Sequence, residues 1–454
     1  MDREKELGEL AEIRALSGKK LFVTALFGLR RVGKTRLLLE FLKGKGIYFF
    51  VNRNKTSADL LDEFQGVLRQ NRVLGELEAV DSWDKFFEVL LKRDVPPVVF
   101  DEFQNFGFVE PAVFGIMQKN IDLNENRPGL LILSGSLIGL MKNLFRNSKE
   151  PLYGRIKRGF KLEPLGLSSC LELGNELKLS KEDLIKIYCV FGGYPKYFVA
   201  IEDFGLQGKK AEEILDSLLF AKDAPLEDEV NSILSQEFGG RSGTYYSILE
   251  AIANGNNTLS AIAGSLGVAP SSVTRQVKEL RDYFELIEFE MPFEGKRGIY
   301  RLRHPLIQFW FSEIYRDYSG YAARKPEFMQ KLRKNLNTFY GHAFERVAKE
   351  FAVEKLFLQE AKRQWGKIQG AKKGENTYEI DLVGKNGKET IALEFKWSEL
   401  QEKEAFLALN GLQAKTLHLS KKPANLKIGI VAKKILEKQK IRSLGFLAFD
   451  MDDF

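Results

Sequence analysis

The chain has 454 residues, 44% hydrophobic and 29% charged, which predicts a soluble globular protein of about two to four domains. Two cysteines (Cys170, Cys189), no apolar run near the ~20 residues of a membrane span and the charged stretch "MDREKELGEL" lead us to expect no disulfide framework, cysteine zinc cluster, membrane span or signal peptide. A net charge of +7 tilts modestly toward a polyanionic partner, although Lys/Glu-rich thermophile surfaces look similar, and the expected location is cytoplasmic.

The first element, "KLFVTALF" at residues 20–27, reads as a buried strand, and "GLRRVGKT" follows it as G-x-x-x-x-G-K-[ST]. Glycines let the backbone turn its N–H groups toward a phosphate, and the helix begun by "KTRLLLEFLK" adds its dipole. Gly28, Leu29, Arg30, Arg31, Val32, Gly33, Lys34, Thr35 and Arg36 are therefore the expected nucleotide-binding run. Lys34 would neutralise the β/γ-phosphates and Thr35 would ligate Mg²⁺.

A strand "GIYFFVN" and two helices, "SADLLDEFQGVLRQ" and "SWDKFFEVLLKR", come next. The strand in "VPPVVFDEFQNF" ends in Asp101-Glu102. An acid at the carboxyl end of a strand adjacent to the phosphate loop can hold Mg²⁺, so Asp101 takes the metal role and Glu102 would polarise a water. Ser134 and Ser136, leaving "GLLILSGS", could sense the γ-phosphate. Strand–helix alternation predicts a parallel sheet covered on both faces.

"LFGLRRVGKTRLL", "VVFDEFQNF", "LILSGS", "PLYGRIKRGFKLEPL" and "FGGYPKYF", in that order, resemble the archaeal ATPase family of P-loop proteins, related to the AAA+ and STAND classes. The resemblance covers about residues 1–235 and implies an ASCE-type sheet with a helical lid, and ATP as the nucleotide. It also implies that Arg155 is a sensor or arginine finger, and that Gly193 and Pro195 lie over the base. Arg155 could equally anchor a loop.

Three short amphipathic helices, "YYSILEAIAN", "TLSAIAGSLG" and "SSVTRQVKELRDYFEL", precede a hairpin "IEFEMPFEGKRGIYRL". The order predicts a winged helix-turn-helix. Its third helix would offer Ser271, Ser272, Thr274, Arg275 and Lys278 to a DNA groove, with Lys296 and Arg297 at the wing tip reaching phosphates. Such modules also dock proteins, and Glu279, Asp282 and Glu285 dilute the basic face. The aromatic run "RHPLIQFWFSEIYRDYSGY" reads as core packing in preference to base stacking.

Beyond a basic connecting segment at 320–338, a helix carries Glu345, and "TYEIDLVGKNGKETIALEFKW" reads as a hairpin turning at Asn386-Gly387. Asp381 lies on its first strand; Glu394 and Lys396 share one face of the second. The two carboxylates could converge on one Mg²⁺ (or Mn²⁺), with Lys396 steering or deprotonating a water. This segment resembles the PD-(D/E)xK nuclease-like domain fused behind archaeal ATPases, whose helix glutamate, aspartate and E-x-K map to Glu345, Asp381, Glu394 and Lys396.

The expected layout is a P-loop core at 1–165, lid at 166–240, winged helix at 241–318, linker at 319–337 and a restriction-endonuclease-like α/β domain at 338–454. The expected function is an ATP-hydrolysing, DNA-associated switch with no membrane partner. A STAND-type regulator that docks proteins or a second copy, with a silent C-terminal domain, is the alternative.

Overall fold

A computed structural model describes residues 3–239, 243–368, 370, 372, 376–420 and 425–454. They form two compact units: Met1–Pro164 with Tyr194–Lys196 and Asp282–Glu285, and Leu165–Gly193 with Tyr197–Arg281 and Leu286–Phe454. The boundary expected between residues 240 and 241 lies outside the described residues.

Five strands build the first unit: β1 (Leu21–Phe27), β2 (Ile47–Phe50), β3 (Val98–Asp101), β4 (Gly129–Gly135) and β5 (Arg158–Lys161). Their order is β2-β3-β4-β1-β5, and every pairing is parallel. Parallel neighbours need crossovers, which helices supply at Lys34–Leu42, Ser57–Gln70, Trp83–Lys92 and Ala112–Asn124. Thr56 and Ser82 start the middle two by accepting the N–H groups of Asp59 and Lys85. Phe49 of β2 stacks on Phe100 of β3 at 5.2 Å, and Phe64 and Phe86 from those helices close around the pair. Truncating one such ring costs about 3–5 kcal/mol, so this cluster fixes β2 against β3. One expectation is corrected here. β3 is not adjacent to β1, because β4 is inserted between them. A strand buried on both faces carries no mark of its lateral neighbours, so chain order alone misplaced it.

In the second unit, helices Gly243–Ala253, Leu259–Ser265 and Pro270–Asp282 precede an antiparallel pair, β6 (Ile287–Glu290) and β7 (Ile299–Leu302). Gly267, at φ +69°, follows the second of these helices and stops it. The aromatic run is core: Phe309, Trp310, Phe311 and Ile314 are all buried. Residues 326–337, expected within a connecting segment, are instead the opening turns of a 30-residue helix, Pro326–Lys355. Met329, Leu332, Leu336 and Phe339 recur at helical spacing and are buried, which outweighs the basic composition between them.

A mixed sheet follows in the order β12-β11-β10-β9-β8. Its strands are β8 (Glu360–Lys367), β9 (Thr377–Asn386), β10 (Glu389–Leu400), β11 (Leu426–Ile435) and β12 (Leu447–Phe449). β9 and β10 form the expected hairpin. Glu389 pairs with Asn386, however, so the turn is Gly387-Lys388, with Gly387 at φ +57°. The long helix and the helix Glu402–Thr416 both pack on β10, which buries both of its faces. β8 is a strand despite the charged sequence "EAKRQWGK", because its pairing with β9 supplies the order that its composition does not. The β6–β7 loop runs along β8: Phe293 N donates to Arg363 O at 2.9 Å and Glu294 N to Gln364 Oε1 at 2.7 Å. That loop covers part of an edge that would otherwise present unpaired backbone.

Candidate functional site

In the first unit the phosphate-loop sequence forms a tight turn between β1 and the helix Lys34–Leu42. Gly33 stands at φ +93°. A Cβ on Gly28 would lie 2.4 Å from Leu162 O, so no larger residue fits. Lys34 is 7% exposed and donates to Gly28 O at 2.8 Å and Leu29 O at 3.1 Å. Arg3 ties the loop to the chain beyond β5 by donating to Val32 O (3.1 Å) and Glu163 O (2.7 Å). Nothing local in the sequence marks Arg3, because its partners lie far along the chain.

Thr35 Oγ1, in the first turn of the helix Lys34–Leu42, donates to Asp101 Oδ2 at 2.6 Å, although β4 separates β3 from the β1 strand that leads into the loop. Asp101 is 1% exposed; Tyr48 OH donates to the same oxygen at 2.9 Å, and Glu102 N to Oδ1 at 3.0 Å. A hydroxyl beside a buried carboxylate is a donor set that fits a hard divalent cation. Burial first, and then the charge of Asp101, push the Tyr48 phenol well above its ordinary range, so it stays a hydrogen-bond donor. Glu102, at φ +53°, turns its carboxylate toward β4, where Ser136 Oγ donates at 2.8 Å and Gln104 Nε2 at 2.5 Å. The Ser134 hydroxyl and Gln104 Oε1 are buried without a hydrogen-bond partner among the described residues. Two orphaned buried polar atoms beside these acids mark the place as built for a polar ligand. Sequence reasoning missed Tyr48 and Gln104, which sit in stretches that read as plain strand and turn.

Of the remaining expected residues in this unit, Pro195 approaches the loop: a Cβ on Gly33 would lie 3.8 Å from its ring. Arg155 forms an ion pair with Asp122 at 3.0 Å and donates to Tyr153 O at 2.7 Å, the geometry of the loop-anchoring alternative. Glu285 is buried and paired with Lys142 and Lys161, so it does not dilute an exposed basic face. Gly193, in the second unit, meets the chain backbone so closely that a Cβ would come 1.7 Å from Leu165 O.

The residues expected to meet DNA, Ser271, Ser272, Thr274, Arg275, Lys278, Lys296 and Arg297, are all exposed. Thr274 Oγ1 bonds Pro270 O at 2.8 Å, and Arg275 pairs with Glu279 at 2.9 Å.

The structure brings Asp381, Glu394 and Lys396 together at the β9–β10 hairpin. Lys396 Nζ lies 2.8 Å from Glu394 Oε1, and Asp381 Oδ2 accepts from Phe395 N at 2.7 Å. A second cation, Lys415 from the helix Glu402–Thr416, grips both Glu394 oxygens at 2.8 and 3.1 Å. Lys415 lies 21 residues from Glu394 in the chain, so the E-x-K spacing gave no sign of it. Burial, reinforced by the Glu394 charge, pushes the Asp381 carboxyl up to about 7. Burial works to lower the Lys396 ammonium, but its bond to Glu394 and the surrounding carboxylates win, and its pKa stands above the usual lysine range. It can therefore donate to an oxygen but is a poor base at neutral pH. Glu345, which the nuclease-like resemblance maps to the same site, pairs instead with Arg363 at 3.0 Å and Arg301 of β7 at 3.6 Å. Among the described residues no group of three or more His, Cys, Asp or Glu is arranged to hold a metal. With cations on Glu345 and Glu394, the donor set does not fit Mg²⁺ or Mn²⁺ as it stands.

Residues 1–201 match the family model of an ATPase domain predominantly from Archaea, and residues 310–406 match one described as Archaea bacterial proteins of unknown function. The uncharacterized protein MJECL04 of Methanocaldococcus jannaschii is 29% identical over 464 residues, covering 100% of this chain and 99% of its own. The solved Walker-type ATPase PABY2304 of Pyrococcus abyssi is 21% identical, covers 68% of this chain and 95% of its own, and superposes with a TM-score of 0.54, a likeness of fold. No helix among the described residues is long and apolar enough to cross a membrane. Over its first 201 residues, the chain is therefore similar to the ATPase domain found predominantly in Archaea.

Proposed function

We propose that this chain binds ATP with Mg²⁺ and hydrolyses it at the loop–acid site, and that turnover governs how the rest of the chain engages DNA. The observation that carries the reading is the 2.6 Å bond between the loop hydroxyl of Thr35 and the buried Asp101 carboxylate. Amides of residues 28–35 and the Lys34 ammonium would cradle the phosphates, and Thr35 and Asp101 would hold the metal. Bound Mg²⁺ would supply charge neutralisation at the β/γ-phosphates. Glu102 would orient the attacking water once its bond to Ser136 loosens, and the Ser134 hydroxyl would donate to the γ-phosphate. Pro195 would lie against the base. Catalysis then rests on positioning and electrostatic stabilisation. Lys34→Ala is expected to lower ATP turnover roughly 10²-fold or more. Unchanged turnover refutes the assignment.

The proposed layout is an ATPase core at 1–165, a lid at 166–240, a winged helix at 241–318 and a nuclease-like domain at 338–454. The exposed Lys278, Lys296 and Arg297 and a sequence pI near 9.0 support DNA as the partner. Lys396 and Lys415 would meet its phosphates at the C-terminal cluster. Cleavage is tested with plasmid and single-stranded DNA in Mg²⁺ or Mn²⁺, against Asp381→Ala and Lys396→Ala; cleavage that survives both comes from elsewhere.

The STAND-like alternative, slow turnover with a protein partner on the winged helix, is supported by one feature: Glu102 Oε2 already accepts two hydrogen bonds, from Gln104 and Ser136, which would compete with its polarising a water. A single-turnover rate below about one per minute, with DNA binding absent, would select it.

A further inference from the structure

We propose that Tyr48 is a positioning residue for the metal-side carboxylate, a role that rests on the ATPase reading above. Asp101 Oδ2 accepts two hydroxyl protons, from Thr35 at 2.6 Å and Tyr48 at 2.9 Å. Thr35 would offer its oxygen to a bound cation, and its proton would then have to point at a fixed Asp101 oxygen. With Glu102 N on Oδ1, the Tyr48 hydroxyl completes a three-donor cage that stops the carboxylate turning. The fold places it there for a reason of register. β2 and β3 are parallel neighbours with Tyr48 opposite Val99 and Phe50 opposite Asp101, so Tyr48 reaches Asp101 along the diagonal. Phe49, between them, points the other way into the ring cluster. The ring of Tyr48 is only half-buried, so the hydroxyl rather than the packing is its distinctive contribution.

The test is Tyr48→Phe in the full chain, which keeps the ring and removes the hydroxyl. ATP affinity is measured by titration calorimetry in EDTA and again in Mg²⁺, and the Mg²⁺ concentration for half-maximal hydrolysis is read in parallel. The expected result is unchanged affinity in EDTA, loss of most of the Mg²⁺-dependent gain in affinity, and a rise of about tenfold in half-saturating Mg²⁺, as for a hydrogen bond to a charged group. A variant that superposes on the wild type in both Mg²⁺ readouts overturns the proposal. So does one that loses affinity equally in EDTA, since that is a structural effect. A wild type that gains no ATP affinity with Mg²⁺ and turns over no ATP fails the ATPase reading itself, a result independent of the variant.

Discussion

Asp381 carries the most displaced carboxyl of the C-terminal cluster, and its environment dictates how the second unit responds to pH. Burial disfavours its charged form, and the nearby Glu394 charge adds to this. The folded carboxyl sits at about 7, above the ordinary unfolded value. Between those values the folded state holds more protons than the unfolded one, so stability falls as pH rises through that window. Asp381→Asn cannot ionise and removes the penalty. Chemical denaturation in EDTA should therefore find the variant gaining on the wild type by roughly 2–3 kcal/mol between pH 5 and 7.5. A difference that is flat with pH would mean that Asp381 is ionised without strain. The placement of Lys34 at the loop and of Asp101 at the end of β3 was legible beforehand because both stand in locally spaced patterns. Tyr48, Gln104, Arg363 and Lys415 were not, since each meets its partner through strand register or helix packing and stands in an unremarkable local sequence.

At the scale of elements, the phosphate loop is held by its surroundings as much as by its glycines. Arg3 clamps one side, and the backbone at Leu162 passes so close that Gly28 has no room for a methyl group. Leu162 N donates to Phe27 O at 2.8 Å, so that backbone cannot yield without breaking its own pairing with the end of β1. Gly28→Ala must move the loop instead. It is expected to lower stability by about 1–3 kcal/mol, as overpacking does, and to abolish measurable ATP binding at millimolar nucleotide. A thermal melt with an ATP titration checks both, and wild-type affinity in this variant would mean that the loop is more pliant than its contacts suggest. The strongly patterned strands, β1, β3, β4 and the β9–β10 hairpin, were readable from apolar runs and turn residues. β8 and the first turns of the long helix were not. Their charged sequences take order from pairing with β9 and from a sparse buried stripe, signals that exist only once the fold has closed. Likewise Arg301 of β7 bridges Glu290 and Glu345, which links the β6–β7 hairpin to the long helix in a way no motif records.

For the whole molecule the proposal joins two ligands on one chain, ATP at the loop–acid site and DNA along the exposed cations. Linkage then imposes a constraint that needs no knowledge of the route between them. If ATP changes DNA affinity by some factor, DNA must change ATP affinity by the same factor, with about 5–150-fold the usual range for such coupling. Salt separates the parts of that measurement. Each phosphate contact contributes a slope of about −0.9 to log affinity against log salt, so replacing Lys296 and Arg297 with alanine should flatten the slope by roughly 2 if both touch phosphates. ATP binding through buried groups such as Lys34 and Asp101 should change far less with salt, because buried charges are poorly screened. DNA affinity measured by fluorescence anisotropy from 50 to about 300 mM salt, with and without ATP, therefore tests three things in one series: that DNA binds, that the hairpin cations touch it, and that the two sites are coupled. A shallow slope in the wild type removes DNA as the partner. A steep slope that ATP does not move leaves a DNA-binding ATPase in which the two activities are independent, and the switch is then the part of the proposal that fails.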